Sequence, residues 1–131
     1  MHISFEKYHG TGNDFVIIDN RQFTFPAEDL TLISKICHRH TGVGSDGLML
    51  IQACDDADFE MVFFNPDGSK SLCGNGSRCA VQFAFTEGMI KSEGTMRTTD
   101  GLHDFKVSAD RIVSIEMRPV TSFDKIEGHW F

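Results

Sequence analysis

The sequence predicts an α+β domain in which a mostly antiparallel sheet wraps one or both of two helices. Three observations carry this expectation. Short runs rich in β-branched and aromatic residues recur along the chain, only two stretches carry helical periodicity, and the segments between them are short and rich in Gly, Asn and Asp. No internal repeat or low-complexity linker divides the 131 residues, so positions 1–131 read as a single domain.

"ISFEKYH" (3–9) alternates apolar and polar residues as a half-buried strand does, and "GTGND" (10–14) is a turn. "DFVIID" (14–19) is a second strand. "FPAEDLTLISKICHRH" (25–40) reads as a helix. Pro26 lies near its start, acidic residues fill its first turn, Leu30, Ile33 and Cys37 form its apolar stripe, and Arg39 and the histidines stand at the negative end of its dipole. "TGVGSDG" (41–47) is loop. "LMLIQA" and "DFEMVFFN" form a strand pair joined through "CDDA". "SRCAVQFAFTEG" is a second helix ending near Gly88. "GTMRTTDG", "LHDFKVSAD" and "RIVSIEMRP" suggest an antiparallel meander.

Composition limits the function classes. Apolar residues make up 40% of the chain, enough for a core. Twelve basic and nineteen acidic residues leave a net charge of −7, which repels phosphate backbones and argues against nucleic acid as a partner. No apolar run approaches the ~20 residues a membrane helix needs. The start, "MHISFEKYHG", has no basic head followed by an apolar stretch, so the expectation is a cytoplasmic chain whose four cysteines are reduced. The chain stops at "KIEGHWF", a bulky apolar close that suggests a cut in the middle of an element.

Three of the four cysteines read as small buried hydrophobes: Cys37, Cys54, and Cys79 on the second helix beside Ala80 and Phe83. Cys73 differs. It follows the turn Asn65-Pro66-Asp67-Gly68, and Gly74 and Gly76 straddle Asn75 where the helix should begin. Backbone N–H groups at a helix start carry partial positive charge, which biases a thiol there toward thiolate. Glycines let an anionic ligand approach the same amides. The loop can therefore prepare a thiolate and bind a carboxylate or phosphate beside it.

Three chemistries compete. "GVGSDG" (42–47) matches a dinucleotide fingerprint by letter, but a helix precedes it and a strand follows, the reverse of what phosphate binding needs. "GNGSRC" has the right context, but Cys79 stands at its third position. Cys37, His38 and His40 crowd one helix end without completing a tetrahedral metal set. Thiol chemistry remains: a nucleophile with a histidine base, for which His9 is a candidate, or a thiolate acting as general base.

Taken together and in this order, "HGTGNDFVIID", "HRHTGVGSDGL", "FFNPDGSKSLCGNGSRCA" and "TTDG" resemble the N-terminal half of the diaminopimelate epimerase family. The related proline racemase group usually shows His where this chain has Asn75. The resemblance implies a barrel-like sheet around a central helix with the second helix outside, and a site in a cleft between two such halves. It implies a small-molecule amino-acid substrate, no cofactor and no metal, and two cysteines on opposite faces of the substrate. Cys73 matches the first of these, Asn13 and Asn65 match substrate-contacting asparagines, and Gly74 and Asn75 match the amides that hold the α-carboxylate. Gly47 stands where some members carry a substrate-contacting glutamine. The C-terminal domain with the second cysteine is absent from this stretch, so the expectation is a half-site, inactive alone, with a homodimer as an admissible assembly. Two other readings stay open: a non-catalytic carboxylate-binding half-domain, and a thiol racemase acting on another amino acid.

Overall fold

In the computed structural model, which describes residues 2–10, 12–71 and 74–116, seven strands form one sheet in strict chain order. They are β1 (Glu6–Gly10), β2 (Asn13–Asp19), β3 (Gly47–Gln52), β4 (Phe59–Phe64), β5 (Glu93–Thr98), β6 (Gly101–Val107) and β7 (Val113–Glu116). Two helices interrupt them, α1 (Leu30–Cys37) and α2 (Gly74–Thr86). Every neighbouring pair is antiparallel except β2–β3 and β4–β5. Each parallel step coincides with a helix, because a chain that restarts in the same direction needs a crossover long enough to return. Antiparallel pairing dominates as expected, and the two parallel steps are the addition.

The sheet curls around α2. That helix touches β1 and β2 at one edge and β6 and β7 at the other, while α1 packs on β3. Alternation along the strands sorts the core into two layers. Phe15 and Ile17 of β2, Met49 and Ile51 of β3, and Phe59, Met61 and Phe63 of β4 face α2, where they meet Cys79, Ala80, Val81, Phe83 and Ala84. The intervening Val16, Ile18, Leu48, Leu50 and Phe64 face outward and are covered with Ile33 and Cys37 of α1. Strands covered on both faces lose the apolar–polar alternation, which is why "DFVIID" and "LMLI" are continuous apolar runs. Each such fully buried side chain contributes about 1.5–3 kcal/mol. Ala80 and Ala84 keep the middle of α2 thin enough for the curled sheet to close on it. The expected arrangement, a barrel-like sheet around a central helix with a second helix outside, is the one observed.

The helix expected over 25–40 is shorter. Pro26, Ala27 and Glu28 form a turn, with Asp29 N donating to Pro26 O at 3.0 Å. Asp29 is the N-cap, its Oδ1 accepting from Leu32 N at 3.0 Å, so the acidic residues precede α1 rather than fill its first turn. At the other end the chain folds back and supplies the missing donors. Gly44 N donates to Ile36 O at 3.0 Å, Ser45 N to Cys37 O at 3.0 Å, and Gly42 N to His38 O at 2.9 Å. Arg39 and the histidines therefore leave the helix instead of extending it.

Other boundaries shift by a few residues. β1 starts at Glu6 rather than residue 3, and β7 starts at Val113. α2 ends as expected: Gly88 adopts φ +75°, its N–H reaches Phe85 O at 3.1 Å, and Met89 N reaches Ala84 O at 2.8 Å. Cys37 and Cys79 are buried as expected, whereas Cys54 is only half-buried in the β3–β4 connection, its Sγ 3.7 Å from Ala57 O. The segment "KIEGHWF" lies outside the described residues. No helix among the described residues is long and apolar enough to cross a membrane.

Candidate active site

The registers place Gly47 beside Phe15, and Phe64 beside Leu48, so the start of β2, the start of β3 and the end of β4 share one end of the sheet. The chain leaves β4 there and returns as the first turn of α2. Gly10, the last residue of β1, faces that turn. A Cβ at Gly10 would stand 3.2 Å from Cys79 Sγ and 3.4 Å from both Asn75 Cβ and Asn75 O. A bare α-carbon at this point lets the β1–β2 hairpin lie against the helix, with Gly12 turning the chain at φ +89°.

This approach brings two distant motifs into contact. Asn75 Nδ2 donates to Asn13 Oδ1 at 3.1 Å. Asn13 Nδ2 donates in turn to Asp46 Oδ2 at 3.3 Å. Asp46 also accepts from Asp14 N at 3.1 Å, and its own N–H donates to Asp14 O at 2.9 Å and to Asp14 Oδ1 at 3.1 Å. Asn13, Asp46 and Asn75 thus form one chain of hydrogen bonds from the 41–47 loop to the first turn of α2.

An ion cluster holds that chain from behind. Arg39 grips Asp14 with Nη2 on Oδ1 at 2.8 Å and Nη1 on Oδ2 at 3.0 Å, and Nη2 also reaches Asp46 Oδ1 at 3.2 Å. Lys7 Nζ joins Asp14 Oδ2 at 2.9 Å and Gly44 O at 2.7 Å. The Arg39 guanidinium, above all, holds the Asp14 carboxyl well below the usual carboxylate range, with Lys7 acting in the same direction. Nearby, burial pushes the Cys37 thiol up, as suits a packed, unreactive sulfur.

The glycines of "TGVGSDG" make the loop possible. A Cβ at Gly42 would run into Lys35 O and stand 2.7 Å from Ile36 O, and Gly44 needs φ +83°. At Gly47 a Cβ would meet the Phe63 ring, so the space a longer side chain would need here is taken.

Of the residues singled out in the sequence, Asn13 and Asn75 are brought together. Gly74 opens α2 in an exposed position, and among the described residues outside its chain neighbours and its own helix backbone nothing stands within 4 Å of where a Cβ would be. Asn65 closes its own loop: Nδ2 donates to Ser69 Oγ at 3.0 Å, Oδ1 accepts from Ser71 Oγ at 3.3 Å, and its N–H reaches Ser69 O at 2.7 Å. Cys73 lies outside the described residues. His9 is exposed and lines a cleft of about 320 Å³ with Tyr8, Asn75, Arg78, Cys79 and Val113, where β1 and β7 flank α2. No group of three or more metal-ligating side chains occurs among the described residues. Asp14, Asp46 and Lys7 escaped the sequence reading, and Arg39 was assigned to a helix dipole. The signal for Asp14 and Asp46 is an Asp in both "GND" and "GSDG", with 32 residues of separation hiding the pairing, and Lys7 and Arg39 lie in neither motif.

The fold is shared with solved isomerases, epimerases and phenazine-biosynthesis-type proteins. Methylitaconate-delta-isomerase matches with a TM-score of 0.65 at 18% identity, over 85% of this chain and 36% of its own. A Bacillus anthracis protein of the PhzF family matches at 0.60 and 20% identity, over 86% and 38%. A hydroxyproline epimerase from Agrobacterium vitis matches at 0.56 and 18% identity, over 86% and 40%. Within this class the sequence is specific: the diaminopimelate epimerase profile matches residues 5–122, and the chain belongs to that family. The diaminopimelate epimerase of Flavobacterium psychrophilum is 46% identical over 126 residues, covering 95% of this chain and 49% of the relative. That of Aquifex aeolicus is 40% identical over 130 residues, covering 89% and 46%. The chain spans about half the length of the curated relatives it matches.

Proposed function

We propose that this chain is one half of a cofactor-independent epimerase that interconverts LL- and meso-diaminopimelate at a single α-carbon. Cys73 supplies one of two cysteine acid–base groups, and the other belongs to a C-terminal half. The observation that carries the reading is the 3.1 Å hydrogen bond between Asn13 and Asn75, which joins two family motifs 62 residues apart at the start of a helix.

The chemistry requires such a place. Removing an α-proton puts charge on the neighbouring carboxylate, and fixed dipoles stabilise that charge without reorganising. The first N–H groups of an α-helix have no intrahelical acceptor and point along the dipole, so Gly74 and Asn75 would hold the α-carboxylate. Gly74 adds no side chain that would block it. With the carboxylate held, a thiolate at Cys73 takes the α-proton from one face while a thiol on the opposite face delivers another. The carbon inverts, and the two sulfurs exchange protonation states. The side chains of Asn13 and Asn75 offer donors and acceptors to the remainder of the zwitterion, and Asn65 would reach it from the loop before α2.

The test follows inversion and deuterium uptake at the α-carbon in deuterated water, alongside a binding titration. The 131-residue chain is expected to bind diaminopimelate, with shifts at Asn13 and Asn75, and to invert no α-carbon without a second half, since a single sulfur returns a deuteron only to the face it deprotonated. Inversion by the isolated chain would overturn the two-cysteine requirement, and absence of binding would overturn the substrate assignment.

A further inference from the structure

We propose that Asp46 is a positioning residue that sets which way the side-chain amides of Asn13 and Asn75 face. The argument is one of donor and acceptor counting. An ionised carboxylate only accepts hydrogen bonds. Asp46 Oδ2, already taking the Asp14 N–H at 3.1 Å, meets the Asn13 side chain at 3.3 Å, and only the NH₂ end of that amide can face it favourably. The Asn13 carbonyl is thereby turned toward Asn75, which answers with its own NH₂ at 3.1 Å. Two amides could face four ways in combination, and one carboxylate selects a single arrangement.

Selection at this point matters because a zwitterion needs donors for its carboxylates and acceptors for its ammonium groups, and a flipped amide exchanges one for the other. The inference rests on Asn13 and Asn75 contacting substrate, as proposed above. Asp46 is built for the task. Its Oδ1 is held by Arg39 Nη2 at 3.2 Å, and its N–H is shared between Asp14 O and Asp14 Oδ1. Gly42 and Gly44 tie the same loop to the end of α1.

The test reads the amides directly, by nitrogen-15 spectroscopy of asparagine-labelled 131-residue chain at neutral pH without ligand. In the unmodified chain Asn13 and Asn75 are each expected to show one side-chain NH₂ pair, with one proton exchanging at least about tenfold more slowly than its geminal partner. In Asp46→Asn, whose side chain presents either an NH₂ or an oxygen, both pairs are expected to double or lose that protection. The unfolding midpoint serves as the control for mere destabilisation. Unchanged NH₂ pairs in Asp46→Asn overturn the proposal. If that variant does not fold, the unmodified chain decides: equal, fast exchange of both Asn13 protons overturns the proposal, and selective protection supports it. No substrate enters the measurement, so a failure to bind diaminopimelate would count against the function above and leave this result readable.

Discussion

Arg39 holds Asp14 through a two-pronged pair, 2.8 and 3.0 Å, that spans 25 residues and locks the loop after α1 to the start of β2. The carboxylate end is the sheltered one: the Asp14 side chain is 13% exposed and that of Arg39 is 55% exposed. Removing the carboxylate should therefore be felt more in the fold than removing the guanidinium.

The pair makes stability depend on acid. The Asp14 carboxyl is depressed in the folded chain, chiefly by Arg39, relative to about 3.9 when unfolded. Its contribution is complete above the unfolded value and is lost as pH falls toward the folded one. Urea unfolding of the parent chain and of Asp14→Asn should show a stability gap that is widest at pH 7 and narrower at pH 2.5. A gap that does not change with pH would contradict this account.

Gly42→Ala should destabilise the chain by at least about 2 kcal/mol, beyond the usual range of a surface change. The new methyl would collide with backbone oxygens of Lys35 and Ile36, which cannot rotate away as a side chain would. The check is the denaturation midpoint, and near-parent stability would show that the end of α1 yields more easily than its hydrogen bonds suggest.

The turn of "TTDG" is held by Asp100, which accepts from Thr98 Oγ1 and pairs with Nε2 of the buried His103 at 2.7 Å. Among the described residues His103 Nδ1 has no hydrogen-bond partner, so this contact carries the ring's polar satisfaction. Asp100→Ala should cost about 1–3 kcal/mol by stranding a buried imidazole. Asp100→Asn should recover part of that loss in the same unfolding assay. Equal stability of all three chains would refute the role.

Much of this was readable in the sequence because the signals were local. Strand runs, the Gly88 stop of α2 and the burial of Cys37 and Cys79 follow from periodicity and turn chemistry within a dozen residues. The differences come from contacts that the pattern of residue types does not show. Arg39 resembles a helix-end cation until Asp14 is seen 25 residues away, and α1 stops at Cys37 because Gly42 and Gly44 return to cap it. Strand direction was equally hidden. "DFVIID" and "LMLIQ" carry the same pattern whether they run together or opposed, and only the intervening helix decides. Of the three residues in the hydrogen-bonded chain at the start of α2, Asn13 and Asn75 stand in motifs that the sequence marks, while Asp46 carries no such mark.

The strict 1-to-7 order of the sheet bears on how the chain is made. Among the described strands, each one after β1 finds its earlier neighbour already synthesised when it leaves the ribosome, so the sheet can grow in the direction of translation without waiting for a distant partner. The first four strands and α1 can assemble as a nascent platform, and α2 then arrives as the element that the later strands close over.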